Sequence, residues 1–216
     1  MADIKQLAGP QSRRKFLAVG GGSTALAAFL AACGSDSSST TTTGTTSMNG
    51  GKSETAEFGK GDVGILNYAL TLEYLETAFY AEVVKSGLFK GADLATIRKF
   101  GSEEAEHVEA LTQAVKSLGG KPAPEPKTDF PLKDAKSVLE LAGTVENLGA
   151  AAYLGQAANI QSPEVLASAL AIHSVEGRHA AALNTLLGES ITPDGAFAVP
   201  ADVPTVLKSV EPFIVG

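Results

Sequence analysis

Tryptophan is absent from the 216 residues, cysteine occurs once and histidine three times. A single cysteine excludes a disulfide framework and any zinc site made of several thiolates. With no Trp and only 4 Tyr and 9 Phe, the chain is poorly equipped for an aromatic surface that stacks sugars or bases. Basic residues are also short: 17 Lys+Arg stand against 24 Asp+Glu, a net charge of −7. Nucleic acid is thereby excluded as a partner, because such affinity comes mainly from Lys and Arg on phosphates and no basic stripe appears. Nor is there a comfortable membrane span. The stretch from Phe16 to Ala32 is broken by Gly20-Gly21-Gly22-Ser23-Thr24, and is too short and too polar to cross a bilayer as a helix.

That stretch instead follows Ser12-Arg13-Arg14-Lys15 and ends in small residues, the layout of a signal peptide. The pair Arg13 and Arg14 resembles the twin-arginine export signal, and Leu30-Ala31-Ala32-Cys33 resembles a bacterial lipobox. Residues 1–32 are therefore expected to be a twin-arginine lipoprotein signal peptide, cut before Cys33, whose sulfur and new amino terminus become acylated. More than one acyl chain anchors stably, since each buried methylene contributes roughly 0.8 kcal/mol. The partners this implies are the export and lipoprotein-processing machinery and a bacterial membrane, with the mature chain extracytoplasmic and lipid-anchored. Residues 33–60 read as a flexible tether, because Gly34 to Ser53 is almost purely Ser, Thr and Gly and cannot bury enough surface to become ordered. Its root-mean-square reach is roughly 30 Å.

From residue 61 to 188 the apolar residues recur with helical period, and no run alternates as a strand would. Four helices are expected, at about 62–86, 92–118, 135–160 and 163–187. Gly87, Gly119-Gly120 and Gly188 supply C-terminal punctuation, Asp134 an N-cap, and Ser162-Pro163-Glu164 an N-cap, a first-turn proline and a first-turn acid. Short links pair the first helix with the second and the third with the fourth as antiparallel hairpins. Between the hairpins, Pro122, Pro124 and Pro126 favour an extended rod that can run the length of a bundle. Residues 189–216, with four prolines, are expected to wrap the bundle, with one helical turn near Val206.

The two hairpins repeat each other. Glu73 and Tyr80 are matched 73 residues later by Glu146 and Tyr153, and Glu104 with His107 is matched 72 residues later by Glu176 with His179. Glu-x-x-His puts both side chains on one helical face, within reach of a single metal ion. With 16 Glu in the chain, two of three His preceded by Glu at that spacing has chance odds of roughly 1 in 60. Helical projection sets Glu73, Glu104 and Glu176 on the apolar stripes, and Glu146 occupies the position equivalent to Glu73. Four carboxylates in an apolar core repel one another and are costly to bury, whereas two divalent cations would balance four Glu and two neutral His. Mixed oxygen and imidazole ligation suits iron or manganese, with zinc also open.

These residues, with Asn67-Tyr68-Ala69-Leu70-Thr71-Leu72-Glu73-Tyr74-Leu75-Glu76 and Phe79-Tyr80 around the first of them, resemble the ferritin-like di-iron carboxylate superfamily, and within it the exported ferritin-like domain proteins of bacteria. The resemblance covers about residues 62–187 and implies an all-α, ferritin-like four-helix bundle of two hairpins with a long crossover between the second and third helices. It also implies metal ligation by Glu73, Glu104, His107, Glu146, Glu176 and His179. Two iron ions, or manganese, would be the cofactor. A ferroxidase-like or peroxidase-like oxidoreductase acting on a small oxidant or a metal ion is the activity it suggests. A metal-binding lipoprotein without turnover and a metal-free structural or stress-related surface module remain the alternatives. Pairing of two copies into a homodimer stays open.

Neighbouring residues receive blander readings. Glu76 shares the apolar arc and could replace Glu73 as ligand, but its repeat partner is Gly149, which favours a place beside the ligands or partly exposed. Tyr80 and Tyr153 are either core residues with satisfied hydroxyls or hydrogen-bond donors to ligand carboxylates. His173 reads as a packed or surface residue. Glu103, Glu106 and Glu109 point away from the core as solvated acids, and Arg178 is expected to pair with a surface acid.

Overall fold

The computed structural model describes residues 53–215. The expected export signal with Arg13 and Arg14, the lipidation site Cys33 and the tether up to residue 52 lie outside the described residues. Five α-helices follow one another: α1 Gly61–Ser86, α2 Gly91–Ser117, α3 Ala135–Gln156, α4 Pro163–Leu187 and α5 Val203–Val210. Among the described residues the only β pairing is an isolated antiparallel bridge between Thr128 and Ile214. No helix there is long and apolar enough to cross a membrane.

Local chemistry sets the helix ends as expected. Gly87 and Gly188 take left-handed φ of 71° and 75°. Asp134 and Ser137 form a reciprocal capping box at the start of α3, and the Ser162 hydroxyl accepts the Val165 N–H at the start of α4. The expectation of a third helix to residue 160 fails over its last turn. Regular α-helix stops at Gln156 and tightens into a 3-10 turn, Ala157–Asn159, so that the chain can reverse toward Ser162. Asp62 clamps this reversal from α1, its carboxylate accepting the Gln161 and Ser162 N–H groups at 2.9 and 2.8 Å.

α1 packs along α2 and α3 along α4, and the hairpins meet through α1 against α3 and α2 against α4. The two apolar clusters so formed contain Phe79, Leu75, Val83 and Leu183 in one and Leu70, Leu111 and Val115 in the other. The proline-rich crossover is held by Asn67, whose amide donates to Lys121 O and whose Oδ1 accepts from Ala123 N–H. Two corrections concern the flanks. Residues 54–60, expected within the tether, fold onto the bundle: Thr55 is buried, Phe58 O accepts from the Asn67 amide, and the Phe58 ring packs on Tyr68. An aromatic side chain next to an apolar helix face supplies what the Ser/Thr tract lacks. In the tail, the single helical turn expected near Val206 is instead the eight-residue α5, capped by Asp202 and burying Val203, Val206 and Val210. The tail reaches that position by crossing α3 at Gly155, where Ala201 N–H donates to Ala151 O at 3.0 Å. A Cβ on Gly155 would lie 2.0 Å from Ala201 O, so glycine is required for the crossing.

Candidate metal centre

All six residues singled out by repeat and spacing converge between the four long helices. Glu73 comes from α1, Glu104 and His107 from α2, Glu146 from α3, and Glu176 and His179 from α4. The four carboxylates are 0% exposed and the two imidazoles 8% and 3%. They fall into two overlapping groups, Glu73, Glu104, His107 and Glu176 in one and Glu104, Glu146, Glu176 and His179 in the other, each with ligand-type atoms within 4.8 Å of one another. Glu104 and Glu176, the two acids of the Glu-x-x-His pairs, belong to both groups.

The interatomic geometry is close without being hydrogen-bonded throughout. His107 Nδ1 stands 2.9 Å from Glu104 Oε2 and 3.2 Å from both Glu73 Oε2 and Glu176 Oε1. His179 Nδ1 is 2.8 Å from Glu104 Oε1 and 3.3 Å from Glu146 Oε2. Yet His179 Nδ1, Glu104 Oε1, Glu146 Oε2 and both oxygens of Glu176 are buried without a hydrogen-bond partner. The short distances among them therefore do not make hydrogen bonds, although the ligand-type atoms of each group stay within 4.8 Å of one another. Orphaned buried acceptors are rare and costly in proteins. The donor set, four carboxylates and two imidazole nitrogens in two groups with two shared acids, is compatible with a di-metal site.

Electrostatics show what the cluster does without cations. Burial raises Glu73 to about 7, against the pull of His107, and pushes Glu76 and Glu176 well above the ordinary carboxylate range, reinforced by the neighbouring acids. Glu104 goes the other way: burial opposes ionisation, but the hydrogen bond from His107 and the close approach of the His179 imidazole outweigh it and hold the carboxyl at about 2. Burial likewise works against the charged imidazoles, yet the surrounding carboxylates raise His107 to about 12 and His179 to about 11. The metal-free cluster thus gathers protons in place of cations.

The second layer is crossed between hairpins. Tyr153 of α3 donates to Glu73 Oε1 of α1 at 2.5 Å, and Tyr80 of α1 donates to Glu146 Oε1 of α3. This is the hydrogen-bonding alternative for both tyrosines, and burial keeps both phenols protonated as donors. Glu76 is 2% exposed, so the partly exposed alternative does not apply. Its carboxylate occupies space that its repeat partner leaves open, since a Cβ on Gly149 would sit 3.0 Å from Glu76 Oε1 and 3.3 Å from Glu176 Oε2.

Glu103 corrects the sequence reading. Expected to be solvated, it is half-buried and accepts from His179 Nε2 at 3.0 Å while pairing with Lys99 at 2.6 Å. With Phe100 stacked 4.2 Å from the ring, it fixes the imidazole with Nδ1 toward the carboxylates. Its own helix gives no sign of this, because the partner comes from α4. Arg178, expected to pair with an acid, forms no ion pair among the described residues. His173 packs as expected, Nδ1 lying 3.0 Å from Ala150 O. A family model described as a ferritin-like domain matches residues 61–189, and comparison with curated proteins finds no match.

Proposed function

Because the chain belongs to the ferritin-like domain family, we propose that its buried cluster holds two metal ions, iron or alternatively manganese, and serves redox chemistry at a bacterial membrane. Glu73 and His107 would hold one ion, Glu146 and His179 the other, and Glu104 and Glu176 both. The observation that carries this reading is the sharing of those two acids, with Glu176 leaving both oxygens unpartnered. A metal-free structural module would have only protons to offset that desolvation, and both Glu176 oxygens would stay unpartnered.

Two ferrous ions at such a site supply two electrons, enough to reduce dioxygen to hydrogen peroxide or hydrogen peroxide to water with two protons. The side chains prepare the site for it. Tyr80 and Tyr153 each engage one oxygen of an outer carboxylate, which leaves the second oxygen directed at the cluster. Glu103 keeps a proton on His179 Nε2, so the lone pair is on Nδ1. Glu76, whose carboxyl is pushed well above the ordinary range by burial and by the neighbouring acids in the metal-free protein, lies beside Glu176 as a further carboxyl next to the ligands. Phe100 stacks on His179 and Phe79 packs on Tyr80, and with the ligands themselves buried bulk water is kept from the cluster. Ferrous-iron oxidation and peroxide removal are the reactions best matched to these features. The resemblance of Arg13 and Arg14 to an export signal and of Cys33 to a lipidation site supports an activity outside the cytoplasm, at a membrane surface.

Total-metal analysis of protein purified without chelator tests the reading. About two ions per chain are expected, and Glu104→Ala and His179→Ala variants should lose them while keeping a helical circular-dichroism spectrum. Metal content near zero in the parent, or unchanged in both variants, would sink the assignment. Consumption of dioxygen or peroxide by the reduced protein then separates turnover from metal storage alone.

A further inference from the structure

At the end of the bundle where α1 starts and α3 stops, a small cavity of about 20 Å³ lies among Ala69, Leu72, Leu111, Ala152, Tyr153 and Ala169, and no polar surface faces into it. Roughly 10–15 Å³ is room enough for one water, but a water needs two to four polar partners, and cavities walled by carbon stay dry and admit apolar guests. The position matters as much as the lining. Tyr153 is a wall of the cavity and the donor to Glu73, so a molecule held there is one side chain away from the carboxylates.

The repeat shows that the space is specific to one half. Position 152 corresponds to position 79 at the spacing that relates Glu73 to Glu146, and position 169 corresponds to 97 at the spacing that relates Glu104 to Glu176. Phe79 is fully buried against Tyr80 and Phe130, and Ile97 is buried as well. Large side chains thus fill the equivalent end, whereas Ala152 and Ala169 leave room.

We infer that this cavity is a binding site for dioxygen, admitted as a small apolar molecule and held against Tyr153. Hydrogen peroxide, with two donors and two acceptors, would lose its hydrogen bonds to water there without replacement. The cavity therefore discriminates between the two oxidants considered above. Its use in turnover rests on the di-metal reading, while its occupancy by an apolar gas does not.

Xenon is the probe. Crystals of the metal-free full chain pressurised with xenon should show one peak between Ala152 and Ala169. That peak should vanish in Ala152→Phe, which restores the side chain of the equivalent position, and in Ala169→Ile, which covers the case in which the larger change impairs folding. An absent peak in the parent, or ordered water in the cavity, overturns the inference. Neither result depends on metal, so it is distinguishable from failure of the di-metal reading, which metal content decides. In the reduced, metal-loaded protein, Ala152→Phe or Ala169→Ile should consume dioxygen several-fold more slowly at unchanged metal content and unchanged peroxide consumption. An undiminished dioxygen rate would overturn the assignment.

Discussion

Each outer carboxylate of the cluster has one oxygen taken by a phenol and one left for the centre. Replacing Tyr153 by Phe removes the 2.5 Å bond to Glu73 Oε1 and leaves that oxygen buried alone. Loss of a hydrogen bond to a charged group of this kind costs about 1.5–3 kcal/mol. Urea denaturation of the metal-loaded Tyr153→Phe protein should show a destabilisation of that size, and a midpoint equal to the parent's would count against an ionised Glu73. The pairing Tyr153 with Glu73 was only half legible in the sequence. Helical spacing put both residues on inward faces, but which carboxylate each hydroxyl would reach depends on how the hairpins dock. Glu103 was not legible at all: it lies off the apolar stripe of its own helix, and its repeat-equivalent position is Val175, so neither periodicity nor repetition marks it.

Among the elements, the four long helices were the most readable, because their apolar period and end punctuation agree. Where the reading fell short, tertiary contact decides the local outcome. α3 ends early because Asp62 of α1 holds the following reversal, and α5 forms because Val203, Val206 and Val210 find an apolar surface on the bundle. That attachment gives a prediction. Gly155→Ala places a methyl group in the path of Ala201 O and should dislodge the tail from α3. Fully burying a valine contributes about 1.5–3 kcal/mol, so losing the docking of three should lower the melting temperature clearly and raise the binding of a hydrophobic dye. A Gly155→Ala protein with parental melting temperature and dye binding would show that the tail contributes little to the fold.

For the whole molecule, the cluster links proton binding, metal binding and stability. In the metal-free protein Glu73 is raised from the ordinary carboxylate value to about 7. Its folded form therefore holds a proton more tightly than the unfolded form, and the associated stability, full below the unfolded value, is lost as pH rises through about 7. His107 and His179, raised to about 12 and 11, lose theirs from above the ordinary imidazole value upward. Metal binding has the opposite dependence, because ligands must shed protons and affinity grows with pH. The gap in melting temperature between loaded and metal-free protein should therefore widen from about pH 5 to about pH 8, as differential scanning calorimetry can measure; a constant or narrowing gap would contradict the buried-cluster electrostatics. The crossed bonds, Tyr80 to Glu146 and Tyr153 to Glu73, also bear on ancestry. A forebear consisting of one hairpin with its Glu, Tyr and Glu-x-x-His would have owned half of the ligands and would have donated its phenol outward, to a sister chain. It would have worked only as a self-pairing dimer, and fusion through the proline-rich crossover would have freed the halves to differ, as they do at Phe79 and Ala152.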